Sequence, residues 1–554
     1  MTNLPPPVFR ALHLSLLAAA ALFFALHFVH LSADFPNRSP WMDWSKYTDE
    51  GWYGDAAIRH FQLGHWYVPG DFNPAAALPV LPSIEGVVFA FTGVSLIAAR
   101  ALTVAIFGGI LVAAWLLVAR RNPRGNSLAA SAAVLLLAAN PFCFVFTRLA
   151  ITEPLLILLT LMALLAAARI RSPTRVSHVL PGRYGLSAAR ANLLPICALG
   201  LLFPLMVLTK TTALFLAPAI FWMLFASARY RLAPFLRGAL PAALLGLILW
   251  LAWFLLVVRP HFLIDYRYLF SANGFTGMTR DNCVAVLAAT LADGRWIGPV
   301  LYPVAFAAAV TALAQPRRLS AHPIIPSLLL WTAGYMAFLG YHNNLQPRYY
   351  LVVAVPLTLL FPIVVEDLIL PRLSSPAGGR VAFSAVTLIF AAIILPDAVE
   401  TIHFVRHPEY TLVRAARALA AYIAEDRKSD PTHNPLILSI SGSEISLMTG
   451  LPSICDDFGT MQLIDRVKQY KPGWYVAWNQ VEDDKLDSLS PLYQLERVAI
   501  FPAMDDSDRN LLILYKLNPA TFAAQAPPLR DRRITPRSPR TKVGQQPSIN
   551  QLVH

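Results

Sequence analysis

Long apolar segments recur along most of this chain, and short polar connections separate them. A helix needs about 20 apolar residues to cross a bilayer, and fewer when neighbouring helices cover its ends. The pattern therefore predicts an all-α polytopic membrane domain with about eleven transmembrane helices. The predicted spans are about Val8–Leu31, Ile97–Ala119, Ser127–Phe146, Pro154–Ala168, Leu193–Leu208, Thr212–Ala226, Ala239–Val258, Ile297–Ala314, Ile325–Tyr341, Tyr349–Val365 and Val381–Leu395.

The connections between these spans alternate in charge. Basic clusters follow every second span, from Arg120 and Arg121 to Arg372 and Arg380. Cytoplasmic loops carry an excess of Lys and Arg, so we expect a cytoplasmic N-terminus and a first long loop on the outer face. A shorter apolar stretch in that loop, Leu78–Phe91, would invert the later clusters if it crossed the membrane. We predict that it is an interfacial helix instead.

From about residue 401 the composition becomes that of a soluble domain. Leu436–Ser441, Trp474–Trp478, Tyr493–Phe501 and Leu511–Leu517 have strand patterns, with short helical segments between the first of them. This alternation predicts a small α/β domain, which is extracytoplasmic because the number of spans is odd. The expected division is a membrane domain at 1–400, a soluble periplasmic α/β domain at 401–518 and a disordered basic tail at 519–554.

Composition and charge agree with an integral membrane protein. The chain has 554 residues, of which 56% are hydrophobic and 14% are charged, whereas a soluble protein carries about 25% charged residues. The net charge of +13 comes from short basic clusters between apolar segments. Such clusters are orientation signals, so we expect a lipid bilayer and no nucleic acid as partner. The four cysteines are too few for a disulfide framework.

The most informative polar stretch, Tyr47–Phe61, follows the first span. At helical period Asp55 and Arg59 fall on one face, while Tyr53 and Phe61 fall on the other. This pattern predicts a first interfacial helix, whose ring-bearing face meets lipid and whose polar face meets water.

Two acidic residues, Asp49 and Glu50, stand at the expected start of this helix. Free backbone N–H groups and the helix dipole favour carboxylates there, so capping alone would explain them. The alternative is a catalytic role, which requires cationic partners at the same membrane face.

Four further ionisable residues stand at the outer ends of spans, namely Arg148, Glu153, Lys210 and Arg348. Ionisable groups at the edge of hydrocarbon mark functional sites, although Lys and Arg side chains also extend to lipid headgroups. Carboxylates beside cations suit a reaction in which a nucleophile gives its proton to a carboxylate and cations stabilise an anionic leaving group. Sugar transfer from a membrane-bound polyprenyl phosphate has both needs.

Several short motifs follow one another along roughly Ala11–Leu395. They are Thr48-Asp49-Glu50 with Tyr53, Gly64-His65-Trp66-Tyr67-Val68-Pro69, Phe91-Thr92-Gly93 with Ala99-Arg100, Arg148 with Glu153-Pro154, Leu208-Thr209-Lys210, and Pro347-Arg348-Tyr349. In this order they resemble the motifs of the GT-C class of integral-membrane glycosyltransferases. More narrowly, the chain looks like bacterial relatives of the dolichyl-phosphate-mannose protein mannosyltransferases and of the lipid A aminoarabinose transferases.

The resemblance implies a polyprenyl-phosphate sugar as donor and transfer to an acceptor hydroxyl with inversion. It places the site on the periplasmic side of a bacterial inner membrane. The implied catalytic residues are Asp49, as general base or acceptor-orienting carboxylate, Glu153 at a second acidic site, and Glu50. The implied substrate-binding residues are Lys210 and Arg348, for the donor phosphate, with Tyr349, Arg148 and Arg59.

Three questions stay open at this point. Relatives often carry an acidic residue near a Pro pair in the first loop, where a divalent metal can bind, but this chain has Asp71-Phe72-Asn73-Pro74 there. The acceptor can be a lipid, a glycan or a protein. Two other functions also fit the sequence: a transporter or flippase of lipid-linked or amphipathic substrates, and a non-catalytic membrane assembly protein.

Overall fold

The computed structural model describes residues 6–37, 39–121, 127–170, 183–273, 277–343, 346–372, 376–504 and 509–520. Over these residues the chain is mostly helical, and a small sheet follows the helices. The predicted disordered tail lies, apart from Pro519 and Ala520, outside the described residues.

The helical part runs from α1 to α17. Its α-helices are α1 (Pro6–Leu26), α2 (Asp49–Leu63), α3 (Val80–Thr92), α4 (Leu96–Ala119), α5 (Leu128–Ala139), α6 (Pro141–Phe146), α7 (Thr152–Ala167), α8 (Arg183–Thr209), α9 (Ala217–Ser227), α10 (Leu232–Trp253), α11 (Leu263–Asn273), α12 (Cys283–Asp293), α13 (Leu301–Leu313), α14 (Pro316–Leu319), α15 (Ile324–His342), α16 (Leu351–Val364) and α17 (Pro376–Arg406). Short 3₁₀ turns include Trp44–Lys46, Pro74–Ala76, Thr211–Leu216, Gly294–Ile297 and Pro347–Tyr350, and π-helical turns cover Phe254–Phe262 and Val365–Ile369.

Seven helices among the described residues are long and apolar enough to cross a membrane. The number is eight if Cys283–Ile297 and Leu301–Leu313, which meet at 118°, form one bent span. Shorter apolar helices cover Val80–Thr92, Leu128–Ala139, Thr152–Ala167 and Thr211–Ser227. The prediction of a helical, multi-pass membrane protein is therefore confirmed at this level.

Helix α16 lies at the centre of the helical part, since each of its side chains is buried. It is apolar throughout, as a helix enclosed by other helices must be. The 3₁₀ turn Pro347–Tyr350 leads directly into it. Arg348 therefore stands at the end of the most enclosed helix, held by a turn that packing fixes.

The C-terminal part forms a small mixed α/β domain, as predicted. Its elements are α18 (Thr411–Ser429), β1 (Ile437–Leu438), α19 (Gly442–Thr449), β2 (Ser453–Ile454), α20 (Leu463–Tyr470), β3 (Trp474–Trp478), α21 (Asp483–Leu489), β4 (Tyr493–Pro502) and β5 (Leu511–Pro519). The strand order is β2-β1-β3-β5-β4. Strands β2, β1 and β3 are parallel, whereas β5 is antiparallel to both β3 and β4. The sequence pattern missed β2 and α21, which are too short to show a period. The prediction also did not include α18, although that helix has 19 residues.

Helix α2 is enclosed rather than half-exposed. Asp55 and Arg59 are both 3% exposed, because the C-terminal domain and the rest of the first loop cover the polar face of α2. The prediction that this face meets water is wrong. A local hydrophobic period reports which side chains share a face, but it carries no information about a domain that arrives almost four hundred residues later.

The C-terminal domain contacts α2 through backbone and side-chain hydrogen bonds. The Gly51 N–H donates to Glu444 Oε2 at 2.8 Å, and Ser443 Oγ donates to Asp55 Oδ1 at 2.7 Å. The contact is close because Gly51 has no side chain: a Cβ there would lie 2.2 Å from the Glu444 nitrogen. Glycine at position 51 is thus required by the approach of a second backbone.

We predict that Gly51→Ala separates the C-terminal domain from α2, although alanine favours helix more than glycine does. The added methyl group would overlap backbone atoms that cannot move aside. Limited proteolysis of the purified protein should release a C-terminal fragment faster than in the parent. Gly238→Ala in α10 is the matched control, because its Cβ would meet its nearest neighbour at 3.4 Å. Equal proteolysis rates for all three proteins would contradict this account of the contact.

Candidate active site

A cavity of about 300 Å³ lies at the junction of α2, the 3₁₀ turns Thr211–Leu216 and Pro347–Tyr350, and the C-terminal domain. Asp49, Lys210 and Arg348 line it together with Tyr349. The structure therefore brings four of the predicted site residues into one cavity, from positions about 300 residues apart in sequence.

Arg348 is held between two carboxylates. Its Nη2 lies 2.8 Å from Asp49 Oδ2, and its Nη1 lies 2.5 Å from Asp43 Oδ1. Asp43 Oδ2 also accepts a hydrogen bond from the Arg348 backbone N–H at 2.8 Å. Because Asp43 holds both the guanidinium and the main chain, the position of Arg348 does not depend on Asp49 alone.

Asp49 is a buried carboxylate at the start of α2. Its Oδ1 accepts a hydrogen bond from Thr48 Oγ1 at 3.0 Å. Thr48 is the N-cap residue of α2, and its side chain makes no capping bond. Burial raises the pKa of the Asp49 carboxyl above its ordinary value, and Arg348 opposes this shift only in part. A carboxylate with a raised pKa that faces a cavity is a better proton acceptor than an ordinary surface Asp.

Lys210 lies between α8 and the turn Thr211–Leu216, and its ammonium group is enclosed on three sides. It forms an ion pair with Glu153. Its Nζ also lies 4.4 Å from the ring centre of Tyr349 and 5.7 Å from that of Tyr53. Ring faces attract cations electrostatically. Glu153, fully buried at the start of α7, thus contacts Lys210 from behind and does not line the cavity.

Glu50, the next residue after Asp49, points away from the cavity. Arg100 of α4 holds it with two hydrogen bonds, Nε to Oε1 at 2.8 Å and Nη2 to Oε2 at 2.5 Å. The Ala150 N–H donates to Oε1 at 2.9 Å as well. A buried carboxylate that is satisfied in this way joins α2 to α4 and to the start of α7.

Arg59 and Arg148 also lie outside the lining of this cavity. Arg59 forms ion pairs with Asp55 at 2.7 Å and with Asp71 at 2.5 Å. Burial raises the pKa of the Asp55 carboxyl to about 7, against the opposing effect of Arg59. Arg148 donates to the carbonyl of Val29 at 2.6 Å and stacks over a phenylalanine ring. These arginines connect segments of the first loop and the helical part.

Sequence analysis missed Asp43 and Tyr53 as members of the site. Asp43 also accepts a hydrogen bond from the Ser45 N–H at 2.8 Å, so it caps the 3₁₀ turn Trp44–Lys46. A capping aspartate at a turn is common, and nothing local distinguishes it from one that holds an arginine. Tyr53 was placed on the lipid-facing side of α2, whereas it lines the cavity.

The side chains that could serve as metal ligands are not arranged to bind a divalent metal. Among the described residues no group of three or more His, Cys, Asp or Glu side chains is placed to hold one. Asp71, the acidic residue in the region where a metal was considered, is occupied by guanidinium groups. Arg59 Nη2 lies 2.5 Å from its Oδ2, and Arg466 Nη1 lies 3.0 Å from its Oδ1.

A second, apolar cavity, which we call the apolar groove, adjoins the first. Its volume is about 390 Å³, and its walls come from α8, α9, α10 and α11. Leu199, Phe203 and Trp250 are among its lining residues. The two cavities share Ala77, Thr211 and Phe270 as common walls, so the apolar groove leads to the charged residues.

No protein-family model matches this chain, and no curated protein matches it in sequence. Solved structures do match. ArnT from Cupriavidus metallidurans in the apo state is 15% identical, with 90% of this chain and 97% of ArnT covered at a TM-score of 0.57. The same protein bound to undecaprenyl phosphate gives a TM-score of 0.56.

The oligosaccharyltransferase of Archaeoglobus fulgidus in the apo form is also 15% identical, with 84% of this chain and 69% of that chain covered at a TM-score of 0.51. At sequence identities this low, the comparisons show a similarity of fold and nothing about activity. The comparison confirms the resemblance that the sequence motifs indicate: the chain is similar in structure to the GT-C membrane glycosyltransferases, among them the aminoarabinose transferase ArnT and the AglB oligosaccharyltransferase.

Proposed function

We propose that this chain is a glycosyltransferase that moves a sugar from a polyprenyl-phosphate donor to an acceptor hydroxyl with inversion. One observation carries the proposal: Asp49, Lys210 and Arg348 share one cavity, and that cavity continues into an apolar groove. A base, two cations and an apolar surface beside them for the lipid chain are the parts that this reaction needs. The ArnT structure bound to undecaprenyl phosphate, which has the same fold, supports a polyprenyl donor.

The donor fits the two cavities in one orientation. Its polyprenyl chain occupies the apolar groove, where burial of hydrocarbon is favourable. Its phosphate lies beside Lys210 and Arg348, which present an ammonium group and a planar guanidinium fork. Arg348 can exchange Asp49 for a phosphate oxygen because Asp43 continues to hold its other edge. Donor binding thereby frees the Asp49 carboxylate.

In the transfer step the acceptor oxygen attacks the anomeric carbon of the donor from the side opposite the phosphate. The new C–O bond forms as the bond between the anomeric carbon and the phosphate oxygen breaks. The acceptor proton passes to Asp49, and polyprenyl phosphate leaves with its charge stabilised by Lys210 and Arg348. Glu153 acts through Lys210, which it positions. In this proposal Glu50, Arg59 and Arg148 hold the surrounding segments together.

The membrane arrangement that we propose has eleven crossings. The eight spans, with the bent pair counted once, are joined by Leu128–Ala139, Thr152–Ala167 and Thr211–Ser227. Helices α2 and α3 lie in the interface. The alternation of basic connections supports a cytoplasmic N-terminus, a periplasmic site and a periplasmic C-terminal domain in a bacterial inner membrane. The division at 1–400, 401–518 and 519–554 belongs to the same proposal.

Asp49→Asn tests the proposed base. Asparagine keeps the size of the side chain but cannot accept the acceptor proton, so we expect transfer to fall by at least about a hundredfold. The measurement is sugar transfer from radiolabelled polyprenyl-phosphate sugars in reconstituted membranes. Expression and membrane insertion should stay normal. Near-parental transfer would remove Asp49 from the mechanism.

The matched control is Glu50→Gln, one residue further along α2. It removes a carboxylate that Arg100 and the Ala150 N–H hold away from the cavity. Leaving a buried arginine unpaired costs about 3–5 kcal/mol, so this variant should lose thermal stability instead. Its transfer rate per folded molecule should stay close to that of the parent. The two variants thus separate loss of chemistry from loss of fold.

The pH dependence of transfer gives a second readout for Asp49. Burial raises its pKa above the ordinary value of 3.8, so the carboxylate becomes protonated, and inactive as a base, at a higher pH than an ordinary Asp. We therefore expect transfer to fall as the pH is lowered, with the acid limb displaced upward from the ordinary Asp range. The residual transfer of Asp49→Asn should lack this limb. An identical limb in the variant would assign it to another group.

Donor binding is tested on the Lys210–Glu153 pair. The double variant Lys210→Gln/Glu153→Gln removes both charges and leaves neither one buried alone. We expect its affinity for polyprenyl phosphate to fall at least about tenfold, the effect of losing one strong charge-assisted hydrogen bond. Glu153→Gln alone removes the group that positions Lys210 but keeps its ammonium group beside the cavity, so its loss of affinity should be smaller than that of the double variant. Binding can be measured by native mass spectrometry or microscale thermophoresis, and equal affinity of parent and double variant would remove Lys210 from the donor site.

A further inference from the structure

Three aromatic side chains form one continuous patch in the wall of the candidate active site. Trp52, Phe72 and Phe458 all line the cavity, and each is partly exposed. Their ring centres lie 5.1 Å apart for Trp52 and Phe72, 5.1 Å for Trp52 and Phe458, and 5.5 Å for Phe72 and Phe458. The ring planes meet at 63°, 82° and 43° respectively, so the three rings pack edge to face or tilted and form an apolar patch that is not flat. We call these three residues the aromatic face.

The aromatic face is assembled from three distant parts of the chain. Trp52 belongs to α2, Phe72 to the first loop and Phe458 to the C-terminal domain. The Trp52 indole N–H donates to the Ile440 carbonyl at 3.1 Å. With its one polar atom engaged in this way, the tryptophan offers the cavity an apolar ring surface.

The segment that carries Phe458 is fixed by several hydrogen bonds. Arg466 Nη1 donates to the Phe458 carbonyl at 2.6 Å and lies 3.0 Å from Asp71 Oδ1. The Met461 N–H donates to the Gly70 carbonyl at 2.9 Å. Gly70 has φ = +80°, and a Cβ there would lie 2.7 Å from the Met461 Cβ. These contacts join the segment that carries Phe458 to the Gly70–Asp71 segment that precedes Phe72. They therefore hold the two phenylalanines beside each other.

The aromatic face is separate from the apolar groove. None of its three residues lines that groove, whose shared walls with the cavity are Ala77, Thr211 and Phe270. It also differs from Tyr349 and Tyr53, whose rings contact the Lys210 ammonium group. The cavity therefore has three kinds of wall: charged residues, the entrance of an apolar groove, and an uncharged aromatic face.

We propose that the aromatic face binds the sugar ring of the donor, a role that rests on the function proposed above. The faces of aromatic rings carry partial negative charge and are apolar. One face of a pyranose ring presents C–H groups, which are apolar and carry partial positive charge, while its hydroxyl groups point outward. In the donor this ring is bonded directly to the phosphate, so it must lie in the cavity next to Lys210 and Arg348 and beyond the groove.

One consequence concerns the C-terminal domain. Through Phe458 it supplies part of the sugar subsite, so it contributes to the choice of sugar as well as to the stability of the first loop. The domain is then a component of the site rather than a separate partner-binding module.

The test compares donors that differ only in the sugar. The full-length protein is reconstituted in nanodiscs, and its affinity is measured for bare polyprenyl phosphate and for polyprenyl phosphates carrying a hexose, a hexosamine or an aminopentose. For the parent we expect at least one sugar-bearing lipid to bind roughly three- to tenfold more tightly than the bare lipid, the size of a ring-stacking contribution. In Phe458→Leu, which keeps an apolar side chain, this sugar-dependent gain should disappear while the affinity for the bare lipid stays unchanged.

Phe72→Leu should behave in the same way, and the thermal unfolding temperature of each purified variant reports independently whether it is folded. Phe501→Leu, a partly buried position of β4 packed against the C-terminal core, is the matched control and should keep the gain.

An unchanged gain in Phe458→Leu and Phe72→Leu, or no gain in the parent with any sugar, would overturn the aromatic face as a sugar subsite. An equal loss for bare and sugar-bearing lipids would assign the face to the lipid. If the parent fails to bind bare polyprenyl phosphate, the proposed function itself is refuted.

Discussion

A charge that is removed from water must find a partner, and this constraint determines how the first loop, the helices and the C-terminal domain fit together. An unpaired buried charge costs several kcal/mol, so each one specifies the segment that lies against it. The buried pairs are Arg348 with Asp43 and Asp49, Lys210 with Glu153, Arg100 with Glu50, and Arg59 and Arg466 with Asp71. Apart from Arg59 and Asp71, which are 12 residues apart, each pair joins segments that lie 50 or more residues apart in sequence.

These pairs differ in what a ligand can do to them. Glu50 and Asp71 have their oxygens occupied by guanidinium or backbone N–H groups, away from the cavity, so no ligand can replace their partners. Arg348 and Lys210 line the cavity, and in the proposed function the donor phosphate competes there with the carboxylates that hold them. Asp43 makes this exchange possible at low cost, because Arg348 keeps one carboxylate when it leaves the other. The same pairing rule thus produces enclosed ion pairs in some places and, in the cavity, ion pairs that the proposed donor can reach.

The sequence was sufficient for properties that depend on local pattern. Apolar length predicted the multi-pass helical part, and alternation predicted the C-terminal α/β domain. Lys210 and Arg348 could be selected because an ionisable group at the end of an apolar segment is unusual in itself. Asp49 could be selected because it stands in a short acidic motif that resembles one of the GT-C glycosyltransferases. The partners of these groups were not predictable. Asp43 contacts Arg348 across 305 residues, and in isolation it has the properties of an ordinary turn cap.

The same limit explains the error about α2. Its amphipathic period was real, but amphipathicity does not distinguish water from a polar protein surface as the neighbour of the polar face. Gly51 contained the missing information. A glycine lowers the stability of a helix, so its presence in the first turn indicates that another backbone approaches closely there. What approaches is the backbone of Glu444. Because Trp52 follows Gly51, the contact that seats the C-terminal domain also brings Phe458 to the tryptophan ring, so docking and completion of the cavity wall are one structural event.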